Sequence, residues 1–191
     1  MKKAFLALAG VAFLAGMYSF APAIEKKKDT SLTVSAEKSR IDWIGSKKAD
    51  FHTGYFTIKS GTVQVDGGKL KGGKFVIDLA NLKVTDAGGG ERLAGHLKTA
   101  DFFDVAKFGE ATYEITSVNY TGASTADITG TLNLKGTSLP VKFQAQIRNL
   151  DEKGGLFAQA FFSLDRTLFG VNYGIGAVSN DVQLAVHLFA K

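Results

Sequence analysis

The 191-residue chain is 45% hydrophobic and 21% charged, with 22 glycines, two prolines and no cysteine, a composition that excludes a disordered chain, a disulfide-stapled scaffold and a cysteine-anchored lipoprotein. Its formal net charge of +5 comes without a long basic run, so nucleic acid is not an expected partner and short clusters such as Lys26-Lys27-Lys28 and Lys47-Lys48 read as solvated surface. One domain is the expectation at this length.

The chain opens Met1-Lys2-Lys3, runs uncharged from Ala4 to Ile24, and places the small residues Ala21 and Ala23 just ahead of the charged residues 25–29. A basic start, an apolar run and a small-residue pair are the marks of a secretory signal peptide, with cleavage expected after Ala23 and a periplasmic or secreted product. A retained anchor is the competing reading, because about 20 apolar residues span a bilayer, although Tyr18, Ser19 and Pro22 interrupt the run. Residues 24–30 then form a short charged segment and 31–191 the folded domain. Loss of Lys2 and Lys3 lowers the formal charge from +5 to +3, and the remaining chain is long enough to bury a core without cross-links.

From Ser31 onward apolar residues recur with period two, the signature of strands whose side chains alternate between faces. Leu32 and Val34, Ile41 and Trp43, Phe56 and Ile58, Val63 and Val65 all follow it. Between Ile58 and Val63 the parity flips from even to odd at Ser60-Gly61, which predicts a β-bulge or tight bend. Asp66-Gly67-Gly68 supplies hairpin-turn residues, with alternation resuming at Phe75, Ile77 and Leu79. Further strands are predicted over 113–120, 128–134, 139–147, 156–164 and 182–188, joined by Lys135-Gly136-Thr137-Ser138 and Asp151-Glu152-Lys153-Gly154-Gly155 among others. One segment breaks the period: over 91–99 the spacing of Leu93 and Leu97, behind Gly88-Gly89-Gly90, predicts a short helix. It leads into Asp101-Phe102-Phe103-Asp104-Val105, whose paired phenylalanines need an apolar seat at a barrel end or beneath the helix.

About eight antiparallel strands with one short helix build either a sandwich or a closed barrel, and closure removes aggregation-prone edges. An eight-stranded barrel holds one small ligand or fills completely with side chains. The period alone leaves both interiors open. Fifteen phenylalanines either pack a solid core or line a long apolar channel.

Several motifs in this order resemble the YceI family: Ile41-Asp42-Trp43, His52-Thr53-Gly54-Tyr55-Phe56, the stretch Leu93-Ala94-Gly95-His96-Leu97 running into Asp101-Phe102-Phe103-Asp104-Val105, and Thr131-Leu132-Asn133-Leu134-Lys135-Gly136. The resemblance spans about residues 31–190. It implies an exported, all-β, lipocalin-like eight-stranded antiparallel barrel with one short helix, binding a polyisoprenoid such as an isoprenoid quinone in an apolar channel for transport, storage or stress-related scavenging. A solid barrel acting through its outer surface, as an adhesion or stress-associated partner, is the alternative. Lys107-Phe108-Gly109 departs from the family pattern, which has a proline after the aromatic residue, and this puts one local turn in question.

With the resemblance, the expected channel lining is Trp43, Phe56, Ile58, Phe75, Ile77, Phe143, Phe162 and Leu184, with Leu97, Phe102, Phe103 and Phe169 nearer the mouth. His52 and His96 sit in motif segments and, with Asp165 and Arg166, are candidates for contact with a ligand head group; hydrogen-bonding roles within turns are the plainer reading. His187 falls out of parity with Val182, Leu184 and Leu188 and is expected on the opposite face, so three histidines give little support to a metal site. Gly68-Lys69-Leu70-Lys71-Gly72-Gly73-Lys74 has the glycine and lysine spacing of a phosphate loop, but Phe75 stands where Ser or Thr would hold magnesium and strands flank both sides. No Gly-x-Ser-x-Gly elbow occurs. Catalysis and a cofactor are therefore not expected; an apolar lipid, transient membrane contact and an oligomeric state left open, monomer or dimer, complete the expectation.

Overall fold

Alternating apolar and polar residues pair into an antiparallel meander whose two ends meet. The computed structural model describes residues 30–87, 90–150 and 155–191; the expected signal segment and the turn at 151–154 lie outside the described residues. In chain order the elements are β1 (Thr30–Thr33), β2 (Arg40–Lys47), β3 (Asp50–Asp66), β4 (Lys69–Val84), helix α1 (Gly90–Leu97), β5 (Glu110–Tyr120), β6 (Thr125–Leu134), β7 (Thr137–Asn149), β8 (Leu156–Asp165), a 3-10 turn (Arg166–Phe169) and β9 (Val178–Ala190). Strand order is β1-β3-β2-β9-β8-β7-β6-β5-β4, and the pairing of β3 with β4 closes the sheet. The result is an eight-stranded closed antiparallel barrel, β2 to β9, with β1 as an extra short strand.

β1 and β2 share one stave. Thr30–Thr33 pairs with the far half of β3, at Val65 to Thr62, while Arg40 to Lys47 pair with the near half, at Thr57 to Asp50. β3 can serve both because it is 17 residues long, and its register against β4 slips between Ile58 and Ser60. That bulge is where the sequence parity flips, so Val63 and Val65 turn inward like Ile58 before them. Two-residue turns with positive φ close the β3–β4 hairpin (Gly67 57°, Gly68 78°) and the β6–β7 hairpin (Lys135 51°, Gly136 79°), the left-handed geometry that matches strand twist. The second is shorter than the four-residue connection expected, because Thr137 already pairs with Leu134.

Helix α1 stops two residues earlier than the spacing predicts. Lys98 and Thr99 donate their amides to Gly95 and His96, three residues back, so the last turn tightens. Asp104 then takes φ 48°, its carbonyl accepts the amides of Lys107 and Phe108, and the Gly109 carbonyl accepts those of Leu79 and Ala80; this is the turn formed without the family's proline.

The strand ends place α1, the β2–β3 hairpin and the β8–β9 connection at one end of the barrel, called here the mouth. The opposite end is packed shut. Leu32, Val34, Val63, Val65, Ala126, Ile147, Leu156 and Ala190 are all buried in one cluster there and form a floor.

Candidate functional site: an apolar barrel cavity

Above that floor the barrel is hollow. A cavity of about 420 Å³, within the range of small-molecule sites, is lined by inward residues of β2 to β9 and by α1 and the loops of the mouth. Strand alternation explains the lining: every second residue points inward, and nearly all of those are apolar, His52 on β3 being an exception. Trp43, Phe56, Ile58, Phe75, Ile77, Phe143, Phe162 and Leu184 all line it, with Leu97, Phe102 and Phe103 at the mouth end.

Aromatic rings run around the wall. Phe143 stacks on Phe162 at 4.5 Å and 8°, Tyr113 lies 5.7 Å from Phe143, and Phe56 meets Phe103 edge-on at 5.6 Å. Such pairs add about 0.5–1.5 kcal/mol each beyond their area. The Tyr113 hydroxyl donates to the Val141 carbonyl, and burial pushes its phenol well above the ordinary range, so it stays neutral. Trp43 lies flat on Gly54 of the neighbouring strand, where a Cβ would stand 2.3 Å from the indole and 2.0 Å from the Lys83 carbonyl. The Trp43 indole N–H is the one buried side-chain polar atom without a partner among the described residues.

The polar residues at the mouth are held by protein partners. His52 Nδ1 meets Asp86 Oδ2 at 2.5 Å, and Asp86 Oδ1 accepts the Thr53 amide at 2.8 Å. Burial alone would raise the Asp86 carboxyl, but the Thr53 amide, His52 and the Thr53 hydroxyl together hold it below the usual carboxylate range. His96 bonds Asp101 at 3.0 Å and its ring stands edge-on to Phe102 and Tyr173, at 5.1 and 4.7 Å. Arg166, only 6% exposed, donates to the carbonyls of Val171, Ser179 and Val178. Burial lowers its pKa, against the opposing pull of Asp165. His52, His96 and Arg166 all line the cavity.

Two expected site residues are placed elsewhere. Asp165 does not line the cavity; its carboxylate accepts the amide and hydroxyl of Thr167 and caps the 3-10 turn. Phe169 also stands off the lining, fully buried in the core under that turn. Asp165 follows the inward Leu164 on β8, so strand alternation already turns it outward, whereas the 3-10 turn that begins after it carries Phe169 into the core. His187 faces outward as its parity predicts, between Gln159 and Asp42. Among the described residues no cluster of three His, Asp or Glu side chains forms a metal site.

Sequence reasoning missed Tyr173, which lines the mouth, and Asp86, the partner of His52 across 34 residues. Tyr173 sits in a loop without period, and Asp86 reaches His52 through the register of the long β3–β4 hairpin, which its bulges shift. Trp43 opposite a glycine was a readable signal for a ring lying flat on a neighbouring strand.

Comparison with known proteins agrees with this architecture. The YceI-like domain family matches residues 32–190. A UPF0312 protein of Pseudomonas putida strain W619 is 33% identical over 194 aligned residues, covering 97% of this chain and 95% of its own. Among solved structures, BcnA of Burkholderia cenocepacia superimposes with TM-score 0.71 at 22% identity, covering 83% of this chain and 99% of its own. A polyisoprenoid-binding domain from Saccharophagus degradans gives 0.65 at 17% identity, covering 86% and 99%. An apolar hollow barrel closed by a packed floor, with the family match along its whole length, makes this chain a member of the YceI-like family.

Proposed function

We propose that the barrel binds one isoprenoid-like amphiphile, tail in the cavity and head group at the mouth, and carries or stores it outside the cytoplasm without acting on it chemically. The observation that carries this reading is the cavity itself, almost wholly apolar, running from the mouth to a sealed floor. The likeness to a domain described as polyisoprenoid-binding supports the ligand class, and the leader-like residues 1–23 support export.

The energetics suit a carrier. Burying a long tail from water at about 0.8 kcal/mol per CH₂ would exceed any observed affinity, but such a lipid starts in a bilayer. Transfer exchanges one apolar medium for another and costs the ordering of the tail. The net preference is small, so loading and release are both accessible. Floor depth then selects chain length. At the mouth Arg166 has five N–H donors, and three of its hydrogen bonds go to backbone carbonyls, which leaves donors and a charge for a carbonyl, phenol or phosphate oxygen.

Native mass spectrometry of the protein from its own envelope, with organic extraction of what it releases, tests the reading. A stoichiometric isoprenoid is the expected result. Protein that is repeatedly empty and also refuses added isoprenoid quinones would overturn it in favour of a role for the outer surface.

A further inference from the structure

Seven large apolar side chains stand exposed among the described residues, and five of them, Ile44, Phe51, Leu168, Tyr173 and Ile175, belong to the mouth end. Scattered exposed apolar residues need no explanation; a group at the portal of an apolar cavity does. Ile44 on β2 and Phe51 on β3 face outward, since Trp43 and His52 beside them line the cavity. Leu168, Tyr173 and Ile175 come from the segment joining β8 to β9. The strand order β3-β2-β9-β8 makes these staves neighbours, so the five residues form a lip on one side of the mouth. Phe51, Leu168 and Ile175 are 62%, 62% and 60% exposed.

The chemistry of this lip is one-sided. Residues 167–180 contain no Asp, Glu, Lys or Arg, whereas α1 and its sequel carry Glu91, Arg92, Lys98 and Asp101. The β2–β3 hairpin adds Lys48 and a Lys47–Asp50 ion pair at 3.2 Å beside Phe51, a net single positive charge. Tyr173 joins lip to cavity: it lines the cavity and touches His96 and Phe102.

We propose that this lip docks the barrel on a lipid bilayer, so that the ligand passes between membrane and cavity without crossing water; the inference rests on the apolar-ligand reading above. An uncharged segment enters the interface with no ion to desolvate. The net positive charge of the β2–β3 hairpin lies where anionic head groups would meet it. The cavity continues to the lip, so docking there opens an apolar path from bilayer to barrel, while a second copy seated on the same surface would obstruct the mouth.

The natural chain has no cysteine, so Ile175→Cys and Leu168→Cys in the full chain can each carry one environment-sensitive fluorophore. With phosphatidylcholine vesicles both report a blue shift, larger when phosphatidylglycerol is added, while Phe161→Cys on the outer wall, 67% exposed, reports none. Each probe reads its own site, so residues 1–29 do not produce the signal. Absence of a shift, an equal shift at position 161, or a shift that grows with protein concentration without vesicles would overturn docking, the last assigning the lip to self-association. As a second measurement, the combined Phe51→Ser, Leu168→Ser and Ile175→Ser variant, altered only outside the cavity lining, should slow isoprenoid transfer between vesicles at least about tenfold and bind a soluble short-chain analogue as wild type does. Unchanged transfer overturns the proposal. Probes that insert in a protein binding no analogue would instead overturn the ligand reading and leave docking standing.

Discussion

Ala158→Phe separates a hollow barrel from a filled one by the sign of its effect. Ala158 points inward on β8 between Leu156 and Ala160, lines the cavity and is only partly buried, so a phenyl ring there projects into free space above the floor, beside Ile147 and Leu188. Burying a phenylalanine fully is worth about 2 kcal/mol. Half of that, for a ring entering a loosely enclosed space, gives about 1 kcal/mol of stabilisation and a Tm rise of about 2–4 °C for a chain of this size. In a close-packed interior the same change costs about 1–3 kcal/mol. Thermal denaturation followed by circular dichroism reads the sign, and retention of long against short isoprenoids reads the shortened cavity, with long chains lost first. A Tm lowered by more than about 4 °C with retention of both chain lengths unchanged would refute the hollow interior.

Gly54→Ala forces a Cβ against the Lys83 carbonyl and the Trp43 ring; a loss of about 2–3 kcal/mol is expected, and the emission of Trp43, the single tryptophan, should shift with it. Arg166→Lys keeps the charge but gathers its donors on one nitrogen and lacks the planar fork that reaches three separate carbonyls, so denaturant titration should show a loss of about 3 kcal/mol from stranded buried acceptors. Asp86 has a folded pKa below the ordinary carboxylate range, so its contribution is present above the unfolded pKa and is lost as pH falls through the lower folded value. Asp86→Asn should therefore be less stable than wild type near neutrality, and its Tm should fall less steeply below about pH 4.

Much of the fold was legible because a strand with one buried face writes its period into the sequence. The parity flip at Ser60-Gly61 marked the β3 bulge to within a residue, and Gly67-Gly68 marked its turn. Three things were not legible. Alternation cannot say that β1 and β2 share a stave, because that depends on the length of β3 and on a break at Ser35 to Ser39. Nor could it follow the chain past Asp165, where a side-chain cap starts a 3-10 turn; there Arg166 turns into the cavity, while Phe169 sinks into the core. The aromatic wall was readable residue by residue, since Phe143 and Phe162 keep parity on separate strands. Its polar mouth was not, because the pairing of His52 with Asp86 depends on a β3–β4 register that three bulges displace along the hairpin.

The clasp between β1 and the end of β9 has a practical consequence. Thr33 and Lys191 exchange backbone hydrogen bonds at 2.7 and 2.9 Å, beside the floor, so the polypeptide enters and leaves the barrel at the pole farthest from the mouth. A fluorescent fusion, an affinity handle or a sensor chip attached through either side of that clasp would hold the molecule with its portal facing outward. Immobilised in this way, the barrel becomes an oriented receptor surface on which loading from passing lipid vesicles can be timed directly.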